Sequence, residues 1–307
     1  MVVDILDDGQ LFTTSSTAFL KLFDRRFSDQ LRQDNGIDPW TKDMEQAYIR
    51  FVKSGSIHQF LHELHYTKDF QENTEEDWDD AQNEAFLADE LLGLYKTEIA
   101  TYNALRHHQG HLIPRLLAAV DFDLTPPNND LDASGRGNFE PFQIKGILLQ
   151  YINGFNLWNM PHHVPQSSWQ DIVDQAVSIV RVLGDHNILN KDVRPENFIV
   201  FTAADGHEQQ QQYHVFMVDF ALCRFRGKDE SDLDWGRAKH TKDEEGAVAL
   251  RLKKKLFEDY GFQLRYEDSL RYIQWADTVD VFPEHAVKTE LRPGVTLYSL
   301  APQSGAA

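Results

Sequence analysis

A few side chains in this sequence have types and an order that suit one kind of chemistry. Asp192 and Asn197 stand five residues apart in ILNKDVRPENFIV (188–200), around a turn stiffened by Pro195. Asp219 follows the β-like run of Val215, Phe216, Met217 and Val218. A carboxylate driven into such a run is unfavourable unless it is paired or holds a metal. Lys21 is the only charge in AFLKLF (18–23), and Glu98 shares a helical stripe with Leu91, Leu94, Tyr102 and Leu105. A glutamate on an apolar stripe needs a buried cation, and Lys21 is its natural partner. Phosphoryl transfer from a nucleotide requires a cation over the phosphates, carboxylate and amide ligands for magnesium, and a group that orients the acceptor hydroxyl. Two loops at one sheet edge would supply the amide and two carboxylates.

The elements that must position these groups follow from patterning. Residues 2–6 and 10–14 read as strands around Asp8-Gly9, a tight-turn dipeptide. A third strand is expected over 17–27, and helical spacing covers much of 28–66. Residues 70–90 are crowded with acids and hold no base, which predicts a solvated loop running into a helix start. A long helix is expected over 85–110, strands over 112–122 and 141–152, and an amphipathic helix over 168–189. Short strands at 198–202 and 213–219 flank the glutamine-rich loop AADGHEQQQQ, and the chain beyond 230 reads as mostly helical. The whole is an α+β pattern in two lobes.

Here a resemblance becomes visible. KDVRPENFIV is similar to the protein-kinase catalytic loop, VDFAL to its magnesium motif, and FLKLF to the strand carrying its ATP-contacting lysine. GILLQYINGFNL resembles the hinge, with Leu149 as gatekeeper. On these motifs residues 1–230 are identified as protein-kinase-like. They look most like divergent fungal kinase-like proteins near the aminoglycoside-phosphotransferase and choline-kinase branch. The resemblance implies a two-lobe fold, with a small β-rich lobe at 1–149 carrying one long helix and a mostly helical lobe at 150–307. It implies ATP and Mg2+ as cofactors and a hydroxyl group as acceptor. Asp192 would orient that hydroxyl, and Arg194 would touch the transferring phosphate. Asn197 and Asp219 would bind magnesium, and Lys21, held by Glu98, would contact the nucleotide phosphates. Gln150, Tyr151 and Ile152 would offer backbone groups to adenine.

The departures shape the expectation. Asn190 and Lys191 stand in place of the usual His-Arg, Ala221 in place of the glycine of the magnesium motif, and only Gly9 is present for a glycine-rich loop. No APE-like motif follows Asp219, which puts a small molecule ahead of a protein as acceptor. A segment from about 27 to 84 is inserted between Lys21 and Glu98. These features also fit a different class, a pseudokinase that binds nucleotide or a partner without turnover, with the acidic insertion as a docking site for a protein.

Bulk properties narrow the classes further. The 307 residues suffice for a substantial core. The net charge of −19 argues against a nucleic-acid surface. No apolar run approaches membrane-spanning length, and MVVDILDDGQ lacks the regions of a signal peptide. A single cysteine, Cys223, excludes an internal disulfide and suits a reducing compartment. The expectation is therefore a cytoplasmic protein, with the nucleus left open. His107, His108 and His111 read as residues at a helix C-terminus rather than as a metal cluster. The basic runs DRR (24–26) and RLKKK (251–255) read as solvated faces.

Overall fold

The computed structural model describes residues 1–5, 16–124, 141–203, 212–267, 269, 272, 286–292 and 295–300. The chain forms two units, Met1–Asn103 with Arg115–Tyr151 and Ala104–Pro114 with Ile152–Ala307. The later break falls at 151/152, beside the expected 149/150, and residues 104–114 group with the second unit. The architecture is α+β in both.

The first unit is built on an antiparallel sheet in the order β1 (Val2–Ile5), β2 (Ser16–Phe23), β4 (Gln143–Gln150), β3 (Leu116–Asp123). β1 pairs directly with β2, Val2 opposite Phe19. The strand expected at 10–14 lies outside the described residues. β2 stops at Phe23, short of the expected residue 27, because Asp24 caps a 3-10 turn over Arg25–Phe27 through the Arg26 N–H. Helices α1 (Asp29–Asp34), α2 (Lys42–Lys53) and α3 (Ser56–Tyr66) follow, with Thr41 capping α2 through the Met44 N–H.

The acidic stretch is not the loop that its charge suggests. It holds α4 (Phe70–Thr74) and a 3-10 turn (Glu75–Asp77), and the long helix α5 (Asp80–Ala104) then begins. Aromatic anchors override the charge. Phe60 meets Phe70 and Trp78 edge-on, and Trp78 packs on Phe86 of α5. Tyr48, Val52, Ile57, Phe60 and Leu61 join Ala85, Phe86 and Leu87 in one buried cluster. Large apolar side chains so buried contribute about 1.5–3 kcal/mol each, so the inserted segment and α5 share a core.

A buried ion cluster ties the same parts together. Glu84 of α5 is wholly buried and accepts from both Arg25 and Arg32, the latter at 2.5 Å. Arg25 also donates to Glu45 at 2.7 Å. The DRR run thus contributes a buried brace rather than a solvated face.

In the second unit, α6 (Trp169–Asp185) buries Ile172, Val173, Ala176, Val177, Ile179, Val180 and Leu183 on one face. It packs against β8 (Gln212–Met217) and α8 (Glu244–Tyr260). After α6 the chain turns through Asn187 in the left-handed region (φ 56) and enters β6 (Ile188–Asn190). β5 (Gly154–Asn156), β7 (Phe198–Ala203) and β8 make one antiparallel sheet, and β6 with β9 (Cys223–Phe225) another. α7 (Asp232–Lys242) is followed at once by α8, which ends in Gly261 at φ 65. Beyond them the expectation of helix fails: β10 (Ala286–Arg292) and β11 (Val295–Leu300) form an antiparallel hairpin. Among the described residues no helix is long and apolar enough to cross a membrane.

Candidate active site

In the first unit, strand periodicity sends Lys21 and Phe23 to the same face of β2. Phe23 meets Tyr95 of α5 edge-on at 5.5 Å. Lys21 Nζ donates to Glu98 Oε2 at 2.6 Å, and Glu98 is fully buried while Lys21 keeps 26% of its side-chain exposure. Burying that carboxylate without a cation would be strongly unfavourable. The pair is therefore a fixed feature of this unit. Along α5, Glu84 and Glu98 are fourteen residues apart, about 21 Å of helix. Helix α5 is thus pinned at two points, at Glu98 by Lys21 of β2 and at Glu84 by Arg25 of the 3-10 turn that follows the strand.

The expected hinge residues have mixed fates. Gln150 ends β4, and its N–H donates to the Arg115 carbonyl at 2.8 Å, so that donor is already engaged. Its side-chain oxygen also accepts from the Arg115 N–H. Tyr151 is exposed and Ile152 is half-buried. Leu149 is buried opposite Phe19 of β2.

In the second unit the two polar loops are stitched together. Lys191 N–H donates to the Leu222 carbonyl, and Val218 N–H donates to the Asn197 carbonyl. Asn197, nearly buried, uses its Nδ2 to donate to the Asp192 main-chain oxygen at 2.9 Å and to Asp192 Oδ2 at 3.2 Å. That leaves the Asn197 Oδ1 as the acceptor end of the amide, with Arg194 Nε at a long 3.4 Å. Arg194 also pairs with Asp192 Oδ2 at 3.3 Å. Asp219 lies two residues past β8, at φ 66. A non-glycine residue held there is uncommon, though aspartate tolerates it better than most, and such strain concentrates at functional sites.

Sequence reasoning treated Asn190 only as a departure. The structure gives it a role. It is fully buried, its Oδ1 accepts from the Asp192 N–H at 2.8 Å, and its Nδ2 donates to the Asp219 carbonyl at 3.3 Å. One amide therefore fixes both loops.

A second missed group anchors Asn190 itself. Glu244 Oε1, at the start of α8, accepts from the Asn190 N–H at 2.8 Å. Its other oxygen pairs with Lys239, which also donates to the Ile188 carbonyl at 3.1 Å. Burial raises the Glu244 pKa and the Lys239 ammonium opposes that shift. The signal in sequence was KHTKDEEGAV (239–248), where Asp243 caps α8 and places Glu244 in its first turn.

The oxygen set of the second unit fits magnesium. Mg2+ favours hard oxygen ligands and is commonly held by one or two carboxylates together with substrate phosphates. Asn197 Oδ1 and the Asp219 carboxylate are of that kind. His107 and His108 lie in the 3-10 turn Arg106–His108 that follows α5. His108 stacks edge-on with His186.

No family model matches the chain, and no curated protein matches it. Among solved structures it is similar to the Rio2 kinase of Chaetomium thermophilum in an ADP/Mg2+-phosphoaspartate complex, at 10% identity and TM-score 0.39, covering 61% of this chain and 45% of that one. The Cydia pomonella granulovirus kinase PK-1 is similar at 15% identity and TM-score 0.30, over 45% of this chain and 43% of that one. The Rad53 kinase domain with SCD2 is similar at 14% identity and TM-score 0.27, over 42% and 40%. The chain spans less than half the length of each. With likenesses this faint, the site stands on its own geometry.

Proposed function

We propose that this chain is a kinase-like phosphotransferase that moves the γ-phosphoryl group of ATP to a hydroxyl, with magnesium. The observation that carries the reading is the bridge made by Asn190, which fixes the Asp192 backbone and the Asp219 carbonyl with one buried side chain. Such a device has a purpose where two carboxylates must hold defined positions.

The residues divide the work as follows. Asn197 and Asp219 would hold magnesium, which when bound neutralises charge developing on the phosphates. Lys21, fixed by Glu98, would hold the α- and β-phosphates. Asp192 orients the acceptor hydroxyl and takes its proton as the new O–P bond forms and the bond from the γ-phosphorus to the bridging oxygen breaks, leaving ADP. Arg194 lies beside Asp192 and offers charge to the transferring group. The missing APE-like motif favours a small-molecule acceptor.

The test is ADP release or labelled phosphoryl transfer from ATP across an acceptor panel, for wild type and Asp192→Asn. Transfer that falls at least a hundredfold in the variant supports the reading. Magnesium-dependent ATP binding without transfer to any acceptor, and without a difference between the two proteins, would instead identify a pseudokinase.

A further inference from the structure

The inserted segment and α5 border a groove that the phosphotransfer chemistry leaves unused. Its cavity measures about 550 Å3 and is lined by one face of α3 and one face of α5. On α3 the lining residues His58, Leu61, His62 and His65 recur at a spacing that puts them on one side of the helix, and on α5 Asp89, Leu92 and Lys96 do the same. Pockets that take small organic ligands run from about 300 to 1,000 Å3, so the groove has room for one.

The partners of the lining residues decide which ligand fits. Asp89 is the one carboxylate of the lining, and its Oδ1 accepts from His65 Nε2 at 3.1 Å. Lys96 is exposed, and among the described residues it has no carboxylate within ion-pair distance. The His58 ring is likewise without a hydrogen-bond partner among them, and the His62 ring meets Tyr66 at 4.9 Å. One unmatched ammonium and two imidazoles thus border a floor of buried Leu61 and half-buried Leu92.

A metal cation does not suit this lining. Lys96 brings a like charge, and among the described residues no three His, Cys, Asp or Glu side chains group as a metal cage. A phosphate dianion would leave part of its charge unmatched over apolar side chains, which is unfavourable. A single negative charge balances Lys96. Length sets the rest. From His65 to His58, and from Asp89 to Lys96, each helix advances by about 10 Å. That span accepts a fused ring pair or a phenylalkyl chain.

We propose that this groove binds a small organic monocarboxylate with an apolar, ring-bearing body. Lys96 takes the carboxylate through a charge-assisted hydrogen bond, and the His58 and His62 rings supply further N–H donors at the rim. Leu61, Leu92 and Tyr66 take the body. The site lies within the first unit and does not rest on the phosphotransfer reading.

The test is calorimetric titration of the full chain with 2-naphthoate and 4-phenylbutyrate. Their neutral amides and acetate serve as probes that lack the charge or the body. The expected result is that at least one of the two acids binds ten times more tightly than both its amide and acetate. Lys96→Met should remove at least tenfold of that affinity with the melting temperature unchanged, and Lys96→Arg should retain most of it. Tyr66→Ala should weaken the same acid at least threefold. Equal binding of acids and amides, affinity unchanged in Lys96→Met, or no binding of either acid at millimolar concentration overturns the proposal.

Discussion

Asn190 donates its side-chain amide to the main-chain oxygen of Asp219 at 3.3 Å. The same side chain accepts from the Asp192 N–H at 2.8 Å. Removing it takes the partner from a part-buried donor and a part-buried acceptor, each costing about 1–2 kcal/mol, toward the low end for an unsatisfied buried group. Asn190→Ala should therefore lower stability by about 2–4 kcal/mol and reduce turnover at least tenfold. Asn190→His, which restores the residue of the resembling motif and keeps one donor, should recover part of both. Thermal unfolding and ATP turnover on the two variants check this. Equal effects from Ala and His would remove the bridging role.

The Lys21–Glu98 pair predicts an asymmetry. Lys21→Met strips the cation from a fully buried carboxylate, and breaking such a pair from one side costs about 3–5 kcal/mol. Lys21→Met combined with Glu98→Leu should be less unstable than Lys21→Met alone. Neither protein should bind ATP as wild type does. Denaturant unfolding of the single and double variants gives the coupling energy, and a value near zero would contradict the pairing.

The brace at Glu84 predicts a role for the inserted segment. Glu84→Gln leaves Arg25 and Arg32 buried without their shared anion, a loss of about 3–5 kcal/mol. Hydrogen exchange should quicken together in α1, α2, α3 and the first turns of α5, since these share one core. Quickening confined to residues 25–34 would show that the segment opens independently.

How much of this was legible in the sequence depended on whether the signal was local. Asp192, Asn197 and Asp219 showed themselves because polar residues interrupt apolar runs at fixed spacing. The helices of the insertion and α6 followed from periodicity. The 70–77 helices were hidden because their acids outnumber the anchors Phe70 and Trp78, whose partners Phe60 and Phe86 are supplied by the fold. Asn190 and Glu244 could not be ranked by type alone. Each acts through a partner tens of residues away, such as Glu244 on the Asn190 N–H, and only the packing of α8 brings them together. The terminal hairpin β10–β11 had a local signal that the helical reading passed over, two runs with β-forming residues, AVKTELR (286–292) and VTLYSL (295–300), around a Pro-Gly dipeptide.

Acid sensitivity should have an identifiable contributor outside the site. Arg224 donates to both oxygens of Glu230 at 2.9 Å, and the Gly227 N–H adds a third bond. The Arg224 bonds hold the Glu230 carboxyl at about 2, below its ordinary 4.5. The unfolded chain then binds the proton more readily than the folded one. This contribution is present in full above pH 4.5 and is lost as pH falls through about 2. The melting-temperature gap between wild type and Glu230→Gln should be constant from pH 7 to 5 and shrink below that. A gap that widens in acid would contradict the assignment.

The central claim is a magnesium–nucleotide site that depends on Asp219, and a thermal-shift titration with ATP tests it most directly. A ligand specific to the folded state at about 100 times its Kd stabilises by about 2.7 kcal/mol. The account predicts a rise in melting temperature with ATP that requires magnesium and disappears in Asp219→Asn. No rise with ATP, or an equal rise in Asp219→Asn, would contradict it.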